Sequence, residues 1–478
     1  MPQSVEQRIE CVIQNLRAAT AFSGNFSSPK TLYERLADYH TPGISIAVIN
    51  DFEIDWACGF GLCESGTTRE VTPDTLFQAG SISKPVFALA VMRLVQEDRL
   101  DLDEDVNAYL TAWRVPANGN WQPRVTLRHL LSHTAGTTIQ GFYGYDASAT
   151  LPTTVQILNG EFPANSKKVE VSIIPGLHYR YSGGGMVIGQ QVLVDTLHKS
   201  FPDIMRELVF EPLGMTHSTY QQPLPPELGV MAATAHPING TPIGGKYMNY
   251  PELAAAGLWT TPTDLAKLGI ELMGVLHDRP PTIWNKETIT EMLRPQTEQS
   301  EGLNGLLLGL GFASRGEGDS SYFFHGGTNI GFVAEMRFYK STGQGAIVML
   351  NSNEGEALRD EVMRAIGQEY NWADIFPPDK TVITLSQTKR YLGCYATTSG
   401  LQFQITRRDG NLFLHCGQQP PIQLSPTSEL EFFARAVNVD ISFEENSTDS
   451  RITAMRLSQA DVMTLGLMDK QIRAEKMD

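Results

Sequence analysis

The sequence has no apolar run approaching the roughly eighteen residues that a membrane-spanning helix needs. Its start, Met1-Pro2-Gln3-Ser4-Val5-Glu6-Gln7-Arg8, lacks a basic segment feeding an apolar core, so the expectation is a soluble, cytoplasmic protein unless a leader was removed. Cysteine is scarce: Cys11, Cys58, Cys63, Cys394 and Cys416 are odd in number and show no metal-type C-x-x-C spacing. That argues against a disulfide framework and for core thiols in a reducing compartment. Positive charge is short as well, with 37 Lys and Arg against 53 Asp and Glu, a net charge of −16. Nucleic acid and anionic membrane surfaces are therefore poor partners. No metal-ligand cluster or phosphate-cradling loop is visible, and no cofactor is expected. What is present is an ordinary globular composition, 41% hydrophobic over 478 residues, longer than one core usually supports, so two domains are expected.

Three Ser-x-x-Lys patterns occur, Ser27/Lys30, Ser81/Lys84 and Ser386/Lys389. Chance alone supplies roughly one or two in a chain of this length, so context has to decide. Only Ser81-Ile82-Ser83-Lys84 sits between a strand-like run, Thr75 to Gly80, and a long apolar helical stretch, Val86 to Val95. Three residues of helix bring the Lys84 amine within reach of Ser81 Oγ, where it can act on the hydroxyl proton. The helix N-terminus favours a developing oxyanion and is expected to lower the Lys84 pKa. Pro85 is compatible with this only within the first helical turn.

The chain reads as α+β. Ile44–Ile49 and Glu53–Trp56 form a hairpin around Asn50-Asp51-Phe52, helices dominate from Lys84 to about Leu272, and a capped helix starts at Thr261-Pro262. Strands return at Gly305–Ala313, Tyr322–His325, Gly331–Phe338 and Gly345–Leu350, before a helix from Glu356 to Tyr370. Strands at both ends with helices between imply an antiparallel sheet whose terminal strands pair, carrying a helical subdomain. The expected domains are 1–372 and 381–478, with a linker at 373–380. The second alternates in short runs, Leu401–Ile405, Leu412–Leu414, Val437–Ile441 and Ile452–Leu457, with a turn at Arg408-Asp409-Gly410-Asn411, and reads as a small all-β barrel or sandwich with a structural or substrate-gating role.

Five elements follow in order: Ser81-Ile82-Ser83-Lys84, Leu130 to Gly136, Tyr181-Ser182-Gly183, Glu211 to Met215 and His325-Gly326-Gly327. Together they resemble serine hydrolases related to class C β-lactamases and D-Ala-D-Ala carboxypeptidases, the penicillin-binding-protein-like family, over about residues 30 to 370. The tail is similar to the lipocalin-like domain some of these carry. The resemblance implies a β-lactamase/transpeptidase-like sheet, with Tyr181 sharing protons with Ser81 and Lys84, its phenol pKa lowered by the neighbouring cation. A literal Tyr-x-Asn also occurs at Tyr247-Met248-Asn249, but its flanks do not match. Gly183 departs from the asparagine usual in the family, which weakens the case for β-lactam hydrolysis. By resemblance His325 donates a hydrogen bond or titrates near neutrality, Gly326 and Gly327 leave room for substrate, and the backbone N–H groups of Ser81 and Thr328 form the oxyanion site. His133 is expected to pack behind the site without a catalytic role. Phe142, Tyr143 and Tyr145 are candidates to line the cleft with Trp259.

The leading expectation is a serine hydrolase forming an acyl-Ser81 intermediate on a D-residue-containing peptide or a small ester. The alternatives are a β-lactamase and a catalytically silent relative that binds peptides. The expected partner is a small-molecule or peptide substrate.

Overall fold

A computed structural model describes residues 3–17, 29–296, 306–374, 385, 387–398, 400–408, 410–417, 421–434, 439–446, 449–459 and 472–477. The chain divides into two compact units, parting in sequence between Ile375 and Phe376. From residue 375 onward the anticipated linker lies outside the described residues, as do Gly305, Ser27 and Ser386.

The first unit is built on a seven-stranded antiparallel sheet ordered β2-β1-β9-β8-β7-β6-β5. Its strands are β1 Gly43–Asn50, β2 Glu53–Gly61, β5 Leu307–Leu308, β6 Ala313–Arg315, β7 Tyr322–Asn329, β8 Phe332–Tyr339 and β9 Gly345–Leu350. A two-stranded sheet pairs β3 Phe77–Gln78 with β4 Trp259–Thr260. The β1–β2 hairpin turns through Asp51 and Phe52, both with positive φ, the turn whose twist matches that of its strands. β1 pairs with β9, so the first and last strands of the unit lie side by side as expected. All six residues of β9 are buried, since the helices Pro262–Leu276 and Glu356–Glu369 both pack on it.

One predicted strand is interrupted. Gly305–Ala313 resolves, among its described residues, into β5 and the start of β6 around a loop in which Gly311 takes φ +85° and its N–H bonds to the Leu131 carbonyl. The Thr261 hydroxyl accepts from the Asp264 N–H at 3.2 Å and caps the helix Pro262–Leu276, as its sequence predicts. The helix Ser83–Gln96 is apolar around nearly its whole circumference, the signature of a helix inside a core rather than on its surface. Among the described residues no helix is long and apolar enough to cross a membrane.

The second unit is a closed barrel of eight strands: β10 Gly393–Ala396, β11 Gln402–Arg408, β12 Asn411–Cys416, β13 Ile422–Pro426, β14 Glu431–Ala434, β15 Val439–Glu445, β16 Ile452–Gln459 and β17 Ile472–Lys476. Alternation drives it: Phe403, Ile405, Leu412, Leu414, Ile441 and Phe443 point inward and meet Tyr391 and Tyr395. The two tyrosines keep their polar ends satisfied, Tyr395 donating to the Tyr391 carbonyl at 2.8 Å and Tyr391 to that of Glu429 at 2.7 Å.

Candidate active site

Ser81 sits in a single 3-10 turn, Gly80–Ile82, that leads directly into the helix Ser83–Gln96. Pro85 is the third residue of that helix, where a backbone N–H has no intrahelical acceptor, so its missing donor costs nothing. The turn is tied down from several sides. Ala79 N–H bonds to the Leu258 carbonyl at 2.9 Å, Ser83 Oγ donates to the Gly80 carbonyl at 2.6 Å and accepts from Leu258 N–H at 3.0 Å, and Tyr220 donates to the Ser83 carbonyl at 2.7 Å.

Lys84 Nζ lies 2.9 Å from Ser81 Oγ and 2.8 Å from the carbonyl oxygen of Ala255. The side chain is 2% exposed, and burial without a paired carboxylate pushes its pKa down to about 7. Desolvation, and not the helix terminus expected from the sequence, is the cause of this lowering. A neutral amine can donate to Ala255 and still offer its lone pair to the Ser81 hydroxyl.

Tyr181 comes from the other side, immediately ahead of the helix Gly183–Leu197. Its hydroxyl is close enough to Ser81 to feel its lowering effect, and Lys84 Nζ lies 4.8 Å from the centre of its ring. The phenol pKa is raised, by burial first and by Tyr179 last, against the lowering effect of Ser81. This reverses the expected direction: burial is the largest influence on the phenol, and at neutral pH it keeps its proton. Tyr247 is elsewhere, packed edge-on against Trp259 at 4.7 Å. Trp259 itself is fully buried between Tyr247 and Phe332 and does not line a cleft.

His133 lies behind Tyr181, its ring centre 4.4 Å away, and accepts the Ser182 N–H at 3.2 Å. His325, on β7, is buried, and burial together with Lys84 pushes its pKa down to about 3. It therefore stays neutral through physiological pH, against the expectation that it titrates there. Its Nδ1 lies 2.5 Å from the Gly326 carbonyl, which can only accept, so Nδ1 carries the proton and Nε2 is left as an acceptor.

β7 passes the turn that carries Ser81 backbone to backbone. A Cβ at Gly327 would lie 1.9 Å from the Ala79 oxygen and 3.0 Å from the Ser81 nitrogen, and one at Gly80 would lie 2.6 Å from the Thr328 nitrogen. Gly80 also takes φ +52°. The glycines thus let the amides of Ser81 and Thr328 come together across this approach.

Three contributors escaped sequence reasoning. The Ala255 carbonyl, a main-chain group, leaves no mark in sequence. Asn329, at the end of β7, donates to the Gln78 side chain at 2.9 Å and to the Ala256 carbonyl at 3.1 Å, tying the strand to the turn that holds Lys84. A polar residue in a buried strand two places after Gly327 was its available signal. Glu252, just ahead of the short helix Leu253–Ala256, is fully buried, and burial pushes its carboxyl up to about 8. It lies beside the Tyr145 hydroxyl without a hydrogen bond of full geometry. Among the described residues no group of His, Cys, Asp or Glu is arranged to hold a metal.

Comparison places this geometry among known proteins. The chain is 23% identical over 442 residues to Penicillin-binding protein 4* of Bacillus subtilis (strain 168), covering 87% of this chain and 92% of that one. It is 29% identical over 191 residues to Esterase EstB of Burkholderia gladioli, covering 38% and 48%. The octameric penicillin-binding protein homologue from Pyrococcus abyssi shares the fold with a TM-score of 0.62 at 22% identity, over 93% of this chain and 98% of that one. Residues 29–370, which carry Ser81, Lys84, Tyr181 and β7, match the Beta-lactamase family, and the chain belongs to it.

Proposed function

We propose that the protein is a serine hydrolase that cleaves an ester or a D-residue-containing peptide through an acyl-Ser81 intermediate. The observation that carries this reading is the 2.9 Å contact between Ser81 Oγ and a lysine whose pKa, about 7, leaves much of it unprotonated at neutral pH. Ser81 Oγ attacks the substrate carbonyl while its proton passes to Lys84 Nζ. The N–H groups of Ser81 and Thr328 stabilise the oxyanion. Tyr181, still protonated, gives its proton to the leaving group and is resupplied from Lys84; a water then repeats the sequence to release the acyl group. His325 remains neutral throughout and accepts a hydrogen bond through Nε2. His133 supports the Tyr181 ring. Similarity to a penicillin-binding protein and to an esterase supports the reaction class.

Hydrolysis of β-lactams is the less favoured reading, because position 183 presents no side chain to an acylamino group. Labelling with a fluorophosphonate and a fluorescent penicillin, followed by intact mass, tests the proposal. A single adduct that Ser81→Ala abolishes is expected; undiminished labelling of the variant would overturn it.

A further inference from the structure

Position 183 shows what has taken the place of a polar side chain at this site. Ser182 is extended, with φ −147° and ψ 115°, so residues 181 and 183 project to the same side while Ser182 projects to the other. Accordingly, Ser182 Oγ turns away from Ser81, donating to the Thr138 carbonyl at 2.7 Å and accepting from Gly185 N–H at 3.0 Å. The side that Gly183 faces is therefore the side of Tyr181. A Cβ there would meet Phe142 Cε2 at 2.9 Å, the Gln140 oxygen at 3.1 Å and Phe142 Cδ2 at 3.4 Å. Gly183 does not have the positive φ that would demand glycine, so what opposes a side chain here is the Phe142 ring, which would have to shift, and not backbone conformation.

The segment bearing Phe142 is anchored at both ends. At one end the Gln140 and Ile139 carbonyls accept from Gly183 and Gly184 N–H, both at 3.0 Å. At the other, Tyr145 and Asn249 exchange backbone hydrogen bonds at 2.8 and 2.7 Å, and the next residue, Tyr250, accepts through its hydroxyl from Ile330 N–H, just beyond β7, at 3.1 Å. The segment thus runs from the helix mouth that carries Tyr181 to the end of the strand that carries Thr328. Phe142 on it is half-buried, and Tyr143 is 79% exposed.

We propose that Phe142 is the specificity-determining residue on the acyl side of the site, selecting acyl groups with an apolar chain or ring next to the scissile carbonyl and disfavouring those with an acylamino group there. An aromatic face gains from burying apolar surface, whereas an amide placed against it loses hydrogen bonds to water without replacement. This rests on the acyl-Ser81 reading.

The test uses p-nitrophenyl pentanoate and the p-nitrophenyl ester of N-acetylglycine, acyl groups of nearly equal length that differ by one amide, with p-nitrophenyl phenylacetate as the aromatic case. The full chain is expected to favour pentanoate and phenylacetate over N-acetylglycinate by about tenfold or more in kcat/KM, the scale of one apolar contact in a pocket. Phe142→Ala lowers that ratio severalfold and Phe142→Leu keeps the pentanoate preference while lowering that for phenylacetate. The ratio is read within each variant, so a general loss from a shifted loop divides out. Phe142→Ala combined with Gly183→Asn raises N-acetylglycinate turnover relative to pentanoate. Ratios unchanged across these variants, with acyl-Ser81 still detected by intact mass, would overturn the role of Phe142 alone. No acyl adduct from any of the esters would overturn the parent reading with it.

Discussion

Lys84 in the first unit and Glu444 in the barrel are both shifted ionisable groups, and the contrast between them separates two causes of a shift. Glu444 stands on the barrel surface between Arg473, at 2.8 Å, and Arg456, at 2.6 Å, and these partners hold its carboxyl down at about 2. Its charge is the favoured state. Lys84 is buried without a carboxylate partner, and its neutral form is favoured instead. A charge that is paired and hydrated is inert, while a group kept neutral beside a hydroxyl is ready to move a proton. Within the same unit Arg337 makes the point again: it is buried too, but Glu335 at 2.9 Å keeps it charged, as befits a structural ion pair.

The largest expected effect is at the unpaired lysine. Lys84→Ala should slow acylation of Ser81 by at least about a hundredfold, the scale of a positioned proton-transfer group, as measured by burst kinetics with an activated ester. A near-wild-type rate would show that burial alone did not make Lys84 functional. Next come the tyrosines: Tyr181→Phe should cost turnover on the order of a hundredfold, and Tyr247→Phe far less, since its ring packs on Trp259 away from Ser81. The reverse order in kcat would break the comparison.

Glu252 sharpens it in terms of stability. Its folded pKa, about 8, stands above the 4.5 of an unperturbed glutamate, so the folded state keeps a proton that the unfolded chain gives up. That stabilisation is complete below about pH 4.5, declines between the two values and is gone above about pH 8. Glu252→Gln should therefore raise the Tm relative to the parent increasingly from pH 6 to pH 9, by an amount corresponding to a few kcal/mol. An equal Tm difference at both pH values would mean that the carboxyl is ionised in the folded protein. The smallest effect belongs to the barrel. Glu444→Gln should cost no more than about 1 kcal/mol in denaturant unfolding, as expected for pairs open to solvent and salt.

Much of this was legible because it is local. Ser81 and Lys84 are one helical turn apart, and an apolar run beside them announces a buried helix. The β1–β2 hairpin and the capped helix at Thr261 carry their signals in a few adjacent residues. In the barrel, β11, β12, β15 and β16 alternate plainly, whereas β17, Ile-Arg-Ala-Glu-Lys, buries only Ala474 fully, with Ile472 half-buried against the core, and carries too little apolar pattern to be found. β13 ends in Ser-Pro and β10 begins with glycine, both of which read as turns. The direction of the Tyr181 shift was missed because burial, a property of the assembled unit, outweighs the neighbouring cation. Phe142 was a candidate by residue type, but its relation to Gly183 depends on a loop some forty residues earlier folding over the helix mouth.

The most direct test of the account is the pH dependence of Ser81 acylation, followed by pre-steady-state release of p-nitrophenol from an ester whose own hydrolysis is subtracted. Burial places the Lys84 pKa near 7, and only its neutral form can take the Ser81 proton, so the acylation rate should rise through a single ionisation near pH 7 and level off above it. A rate independent of pH between 5.5 and 8.5, or one still climbing past pH 9 as it would with an ordinary lysine, would contradict it.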